Sequence, residues 1–221
     1  MYRQRFNLRS HVLPQDACGK TFTEIGSHAK LARRFEMLAD DPGLGIVIGD
    51  AGLGKTSAMR HLTAKLPRPD YQVVYVCDTA TSPLDFYRQL ARELGLTPSH
   101  RRSQLWHDIK ASIVQRADEQ HIKLVIVVDE AQHLSDTFLL DLSGFLNFAF
   151  DSRNLITFWL VGQTPLKNRL AMQMHSALDS RVAARVALEP LTERHDFSAF
   201  LKAGLSAAGA ESNIVSDSAA E

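Results

Sequence analysis

Two short stretches of the sequence carry residues whose types and spacing suit the binding of phosphate groups. The first is GDAGLGKT, residues 49–56, which fits the pattern G-x-x-x-x-G-K-[ST]. In this pattern glycines let backbone N–H groups turn towards phosphate oxygens at the positive end of the following helix. We expect Lys55 to reach the β- and γ-phosphates of a nucleotide, and the Thr56 hydroxyl to bind Mg²⁺. The predicted nucleotide cradle comprises Gly49, Asp50, Ala51, Gly52, Leu53, Gly54, Lys55, Thr56 and Ser57.

The second stretch is LVIVVDEAQHL, residues 124–134, where an apolar run leads to two acidic residues. Asp129 stands at the carboxyl end of this predicted strand, where ligands bind in open α/β sheets, and is expected to hold Mg²⁺ through water. Glu130 is then placed to polarise the attacking water as general base. The alternatives are a glycine-rich turn with a solvated lysine for the first stretch and two helix caps for the second. Both are disfavoured because each motif follows a predicted strand and the two occur together.

A third group of candidate residues follows the next predicted strand, in LVGQTPL at residues 160–166. The side chain of Gln163 or Thr164 is expected to hydrogen-bond the γ-phosphate or the attacking water, and we take Gln163 as the catalytic candidate. The alternative is a plain turn before Pro165, since glutamine and threonine also suit turns.

Arg181 lies in ALDSRVAARVALEPL, residues 177–191, just before the last predicted strand. At the edge of the sheet it is expected to lie too far from the γ-phosphate bound by its own chain. An arginine supplied by a neighbouring subunit stabilises charge in phosphoryl transfer, and we expect Arg181 to act in this way. The alternatives are a surface ion pair at Arg181 and the same catalytic role for Arg185.

The elements that position these residues follow from the hydrophobic pattern. Continuous apolar runs predict buried strands at 44–49, 71–77, 123–129, 155–162 and 184–191. Helical spacing and capping residues predict helices at 27–40 (with Ser27 as N-cap), 54–66, 83–95, 103–120 and 136–150, and one more in the tail. Strands that alternate with helices predict an α/β fold with a parallel sheet and helices on both faces.

The helix predicted at 136–150 is apolar nearly all round. One face and its flanks carry Phe138, Leu139, Leu142, Phe145, Leu146, Phe148 and Phe150. A helix of this kind is buried on more than one side. It is therefore either enclosed within the monomer or in contact with another subunit beside the nucleotide.

Composition limits the class of protein. The 221 residues suffice for one sizeable α/β domain with a small appendage, and the 25 basic and 25 acidic residues cancel. No global positive field favours nucleic acid, so DNA binding requires a local patch. The two cysteines are far apart and show no metal-ligand spacing, as expected in a reducing cytoplasm. The sequence shows no signal peptide or membrane-spanning run, so we expect a cytoplasmic protein that does not bind membranes.

The motifs, in this order, resemble those of the AAA+ ATPases. More closely, GDAGLGKTSAMRHL, VVYVCDTATSPLDFYRQLARELG, VDEAQHLS and LVGQTPL resemble the ATPases that accompany DNA transposases, the TniB/ExeA-like group. The segment LDSRVAARVALEPL is similar to the box that carries the arginine finger in AAA+ proteins. The resemblance extends over residues 10 to 205 or so.

This resemblance implies a P-loop NTPase fold with an N-terminal arm at 1–25, an AAA+ core at 26–190, and a partial lid helix with a polar tail at 191–221. It implies ATP and Mg²⁺ as cofactors, and weak ATPase activity that depends on assembly. The implied partners are further copies of the chain in a ring or filament, duplex DNA, and transposase proteins recruited to target sites.

The lid departs from the family pattern. In AAA+ proteins a helical lid brings a second sensing arginine to the nucleotide, whereas this tail offers no such residue, because Arg194 is too near the start of the lid. The short lid keeps open the alternative of a nucleotide-gated scaffold that does not hydrolyse ATP.

If the chain binds DNA, PSHRRSQLWHDIK at residues 98–110 offers Arg101, Arg102 and Lys110 around the start of a helix. A second basic cluster in the arm comprises Arg3, Arg5 and Arg9. The alternative for either cluster is a solvated charged face.

Two other functions compete with transposition. An ExeA-like ATPase of secretion assembly is expected to carry a membrane segment and a cell-wall-binding module, neither of which this sequence shows. The sequence DEAQH suggests a helicase. Duplex-unwinding helicases of that type require two such domains, however, and 221 residues cannot hold both.

Overall fold

The five strands form one parallel sheet in the computed structural model, which describes residues 2–14, 19, 22–77, 82–148 and 152–210. They are β1 Leu44–Ile48, β2 Tyr71–Val76, β3 Lys123–Val128, β4 Ile156–Gly162 and β5 Val182–Ala187. Their order across the sheet is β2-β3-β4-β1-β5, and every neighbouring pair is parallel. The predicted α/β class with a parallel sheet is therefore confirmed.

Helices cover both faces of this sheet. The α-helices among the described residues are α1 Tyr2–Arg5, α2 Ser27–Asp40, α3 Lys55–Ala64, α4 Pro83–Glu93, α5 Arg102–Asp118, α6 Asp136–Phe145, α7 Thr164–Leu170, α8 Ser176–Asp179 and α9 Arg194–Ala207. Helices α2 and α3 pack on one face, where Phe35 stacks on Trp159, and α4, α5 and α6 pack on the other. Burial on both sides explains why the central strands are continuous apolar runs. Among the described residues, no helix is long and apolar enough to span a bilayer.

Two of the elements predicted from sequence end more than two residues away from the predicted position. The helix predicted at 136–150 ends at Phe145, and Phe148 then makes an isolated antiparallel bridge with Arg153. Most of its apolar residues are buried within the monomer, whereas Leu146 is half-buried, Leu140 is exposed and Phe150 lies outside the described residues. The last strand is predicted at 184–191 but spans Val182–Ala187, because its partner β1 ends at Ile48 and the Glu189 N–H donates to the Ser27 hydroxyl.

The two ends of the described chain pack against each other. The Arg9 N–H donates to the Ala208 carbonyl, just after α9, at 2.8 Å, so the residues that follow α1 lie against the end of α9. The predicted N-cap at Ser27 is wrong, because Gly26 holds that position. The Ser27 hydroxyl instead accepts the Glu189 N–H at 3.1 Å, and so ties the start of α2 to the segment between β5 and α9.

Candidate functional site

The loop of residues 49–54 leaves β1 and enters α3 at Lys55. Gly52 and Gly54 adopt left-handed conformations, with φ of 84° and 75°, that side-chain-bearing residues rarely adopt. Gly54 is also the N-cap of α3. The loop therefore presents backbone N–H groups at the positive end of a helix, the geometry that binds phosphate.

The side chain of Lys55 lies inside this loop. It is 6% exposed, and its ammonium donates to the carbonyls of Gly49 and Asp50, at 2.9 Å each. Burial leaves the charge few other partners, so the lysine is held where phosphate oxygens are expected to meet it. The predicted cradle and its lysine thus lie together in the structure.

A set of oxygen atoms meets beside the start of α3. Thr56 Oγ1 donates to Asp129 Oδ2 at 2.5 Å, and the Glu130 N–H donates to Asp129 Oδ1 at 2.9 Å. Asp129 is 3% exposed at the carboxyl end of β3. A hydroxyl and a carboxylate are ligands that Mg²⁺ prefers, so these residues fit the predicted cation site.

Tyr75, which the sequence did not single out, belongs to the same cluster. Its hydroxyl donates to Asp129 Oδ2 at 3.0 Å from the neighbouring strand β2. Burial and the adjacent Asp129 carboxylate raise the pKa of Tyr75 well above its ordinary value, so it remains a donor. Sequence spacing gave no sign of this contact, because it depends on the register of β2 against β3.

Hydrogen bonds made by the Gln132 side chain connect Glu130 to the end of β4. Glu130 Oε2 accepts the Gln132 side-chain amide at 2.5 Å, and Gln132 Oε1 accepts the Gln163 backbone N–H at 3.1 Å. Glu130 and Gln163 therefore lie at one edge of the sheet, as predicted, while the exposed Thr164 begins α7. Gln132 is a site residue that sequence reasoning missed, although it stands two positions after Glu130.

A cavity of about 290 Å³ opens beside the phosphate loop. Its walls come from residues before α2, the start of α2, the loop, the segment between β5 and α9, and α9: Leu13, Pro14, Phe22, Thr23, Ile25, His28, Gly52, Leu53, Gly54, Ser57, Glu189, Pro190, Leu191 and Phe200. Burial lowers the pKa of His28, and the neutral ring donates Nε2–H to the Leu53 carbonyl at 3.0 Å. Mostly apolar walls next to a phosphate site suit a purine base. The sequence did not predict this cavity, because its walls come from distant segments.

One wall of the cavity is anchored to α3 by a buried histidine. His61 Nδ1 accepts the Gly19 N–H at 3.0 Å, which leaves Nε2–H to donate to Glu24 at 2.9 Å. Lys65 also pairs with Glu24. Partial burial alone raises the pKa of Glu24, but the hydrogen bonds from Lys65 and His61 outweigh it and the net pKa is lowered. An ionised Glu24 carboxylate therefore holds this wall of the cavity to His61 and Lys65.

Arg181 lies at the opposite end of the sheet from the phosphate loop. It precedes β5, whose first residue pairs with Leu44 at the start of β1. The length of β1 separates the two ends by about 16 Å, at about 3.3 Å per residue. Arg181 is half-buried in a cleft of about 220 Å³ with Gly43 and Asn154. Arg185 is more exposed, and it bonds the carboxylate and carbonyl of Asp179.

The residues predicted to contact DNA lie away from the nucleotide site. Arg102 pairs with Asp141 and lies over the Trp106 ring, whereas Arg101 is exposed. Lys110 donates to the Gly144 and Asn147 carbonyls, at 3.2 and 2.7 Å, and burial lowers its pKa. Two of the three cations thus bind α6 and the residues that follow it.

Comparisons with known proteins agree with this geometry. General secretion pathway protein A of Aeromonas hydrophila is 28% identical over 182 residues, which are 78% of this chain and 31% of that protein. The chain thus spans about a third of that relative's length. Cdc6p of Pyrobaculum aerophilum superposes with a TM-score of 0.63 and 17% identity, over 94% of this chain and 54% of that one.

The fold is also shared with the Aeropyrum pernix ORC1 protein, solved in complex with DNA, at a TM-score of 0.53 and 15% identity over 89% of this chain and 52% of that one. These two solved structures show a common fold. The family model described as AAA domain matches residues 38–170, which are more than half of the chain and include the phosphate loop, Asp129 and Glu130. The chain belongs to the AAA domain family.

Proposed function

We propose that the chain binds ATP with Mg²⁺ and hydrolyses it, as one copy in a cytoplasmic assembly. The observation that carries this proposal is the hydrogen bond between Thr56 Oγ1 and Asp129 Oδ2. It joins the end of the phosphate loop to the acidic end of β3, so that phosphate-binding N–H groups, Lys55 and an oxygen-lined cation site share one edge of the sheet.

Each part of the site has a distinct role in this proposal. The N–H groups of residues 49–57 and the Lys55 ammonium bind the phosphates, and the apolar cavity beside Gly52 takes the base. Thr56 and Asp129 hold Mg²⁺, which neutralises phosphate charge when bound. Glu130 polarises the attacking water as general base, and Gln163 senses the γ-phosphate at the end of β4.

The position of Arg181 supports a site shared between copies of the chain. Because it lies at the other end of the sheet, it is too remote to touch a nucleotide bound by its own loop. In a ring or filament it reaches the γ-phosphate of the next copy and stabilises charge there. This arrangement makes hydrolysis depend on assembly.

The cellular role we propose is target-site selection in DNA transposition, with assembly on duplex DNA and recruitment of transposase proteins. The TniB/ExeA-like motifs support it, as does the fold in common with an ORC1 protein solved with DNA. Identity to General secretion pathway protein A favours a second candidate, an ATPase of secretion assembly. A scaffold that binds ATP without hydrolysing it is the third.

Calorimetry and turnover assays test the site directly. Lys55→Ala is expected to weaken ATP binding by about a hundredfold or more, because it removes a buried charged donor. Glu130→Gln is expected to keep ATP affinity but lower turnover by about a hundredfold, because it removes the base. Lys30→Ala, an exposed lysine on α2, is the matched control. Unchanged ATP affinity in Lys55→Ala would refute the site.

Mass photometry with ATP and an arbitrary duplex, together with the binding and turnover assays, separates the three roles. Large assemblies that require both ATP and DNA support transposition. Assemblies that ignore DNA favour secretion, and a wild-type protein that binds ATP without turnover favours the scaffold.

A further inference from the structure

We infer that Gln132 is a positioning residue, which holds the carboxylate of Glu130 and fixes it to the end of β4. This inference rests on the proposed ATPase function and extends it. The side-chain amide of Gln132 donates to Glu130 Oε2 at 2.5 Å and accepts the Gln163 N–H at 3.1 Å. A primary amide both donates and accepts, so neither a carboxylate nor an apolar side chain of similar size can replace it.

The end of β4 is shaped to admit this amide. A Cβ atom at Gly162 would lie 2.9 Å from Gln132 Oε1 and 3.3 Å from its backbone nitrogen. Both distances are shorter than ordinary contacts, so a larger residue at position 162 would push Gln132 away. Glycine at this strand end is therefore what allows the amide to reach the Gln163 N–H.

The backbone of Gln132 is fixed as well. Its carbonyl accepts an N–H of Arg169 at 3.0 Å, and the Arg169 guanidinium is paired with Asp136 at 2.5 Å. Gln132 lies in a short 3₁₀ turn, Ala131–His133, between β3 and α6. Contacts from α7 to its main chain and from β4 to its side chain leave the amide little freedom.

Glu130 needs such support because of its own backbone. Its φ of 51° and ψ of 35° place it in the left-handed region, which is unfavourable for glutamate and persists only where the surroundings fix it. The hydrogen bond from Gln132 orients the side chain that leaves this strained residue. A general base must lie within hydrogen-bond reach of the water it activates, so loss of the amide is expected to slow the chemical step without weakening nucleotide binding.

The test compares Gln132→Leu and Gln132→Glu with the control His133→Leu. The control also introduces a leucine, at an exposed position of the same turn. We expect Gln132→Leu to lower kcat by about tenfold or more with little change in KM, and Gln132→Glu to lower it further through repulsion of Glu130. Binding of a non-hydrolysable ATP analogue, measured by calorimetry, is expected to stay within about twofold of wild type in all three variants. Equal kcat for Gln132→Leu and wild type would overturn the inference.

A double variant and an exchange measurement complete the test. If Gln132 acts through Glu130, adding Gln132→Leu to Glu130→Gln lowers kcat no further, whereas independent effects would multiply. Amide hydrogen exchange by NMR needs no turnover: the Gln163 N–H is expected to exchange about tenfold faster in Gln132→Leu but not in His133→Leu. Wild-type protein without ATPase activity would defeat the proposed function, and unchanged exchange at Gln163 would separately defeat the bridge.

Discussion

At the residue scale, one oxygen of the Asp129 carboxylate accepts two hydrogen bonds, from Thr56 Oγ1 at 2.5 Å and from the Tyr75 hydroxyl at 3.0 Å. A buried carboxylate depends on directed donors of this kind. Residues that orient a metal-binding carboxylate contribute to metal affinity even though they do not touch the metal. Tyr75 is a residue of this kind at the proposed Mg²⁺ site, because its hydroxyl donates to the Asp129 carboxylate.

Replacing Tyr75 with phenylalanine removes this hydroxyl and keeps the ring. We expect ATP binding in the presence of Mg²⁺ to weaken by about tenfold, because Asp129 loses a partner that orients it. Calorimetry with and without Mg²⁺ measures the effect, and ATP affinity without the cation should not change. Tyr71→Phe is the control, because that hydroxyl lies on the same strand but donates to the Ala39 carbonyl. Identical Mg²⁺ dependence in the two variants would contradict the assignment.

At the element scale, α5 is joined to the end of α6 by a cation that the sequence suggested for DNA. Lys110 donates to the Gly144 and Asn147 carbonyls and lies over the rings of Trp106 and Phe148, at 5.1 and 4.9 Å. A cation at these carbonyls complements the negative end of a helix. It also satisfies carbonyls at the end of α6 and just after it, which the helix itself does not pair.

Stability and DNA affinity should therefore respond to different residues of this basic cluster. Lys110→Ala is expected to lower the free energy of unfolding by about 1–2 kcal/mol, measured in urea, because two carbonyls lose a charged donor. The exposed Arg101 is the better DNA candidate, so Arg101→Ala should weaken duplex binding and reduce its salt dependence by about one phosphate contact. If Lys110→Ala is as stable as wild type and binds duplex DNA less well, Lys110 contacts DNA and does not stabilise the end of α6.

At the scale of the whole molecule, the sequence predicted those features that lie along the chain. Apolar runs marked the strands, glycine spacing placed Lys55 and Thr56 at the start of the helix after β1, and the paired acids placed Asp129 and Glu130 at the end of β3. Features that depend on segments distant in sequence were missed. Tyr75 meets Asp129 only through strand register, and the cavity beside the phosphate loop requires the N-terminal residues to pack near α9. The role of Lys110 was missed for the same reason, since it lies 34 residues before Gly144.

Arg181, at the far end of the sheet, is expected to affect turnover by the assembly and not ATP binding by the monomer. Arg181→Ala is expected to keep the ATP affinity of wild type but lower assembly-dependent turnover by about a thousandfold, since such an arginine is worth that much in phosphoryl transfer. Mixing it with Lys55→Ala should restore part of the activity, because one variant supplies an intact nucleotide site and the other the arginine. Arg185→Ala, which loses only its pairing with Asp179, is the control. Mixtures that remain inactive, while Arg185→Ala abolishes turnover, would transfer the role to Arg185.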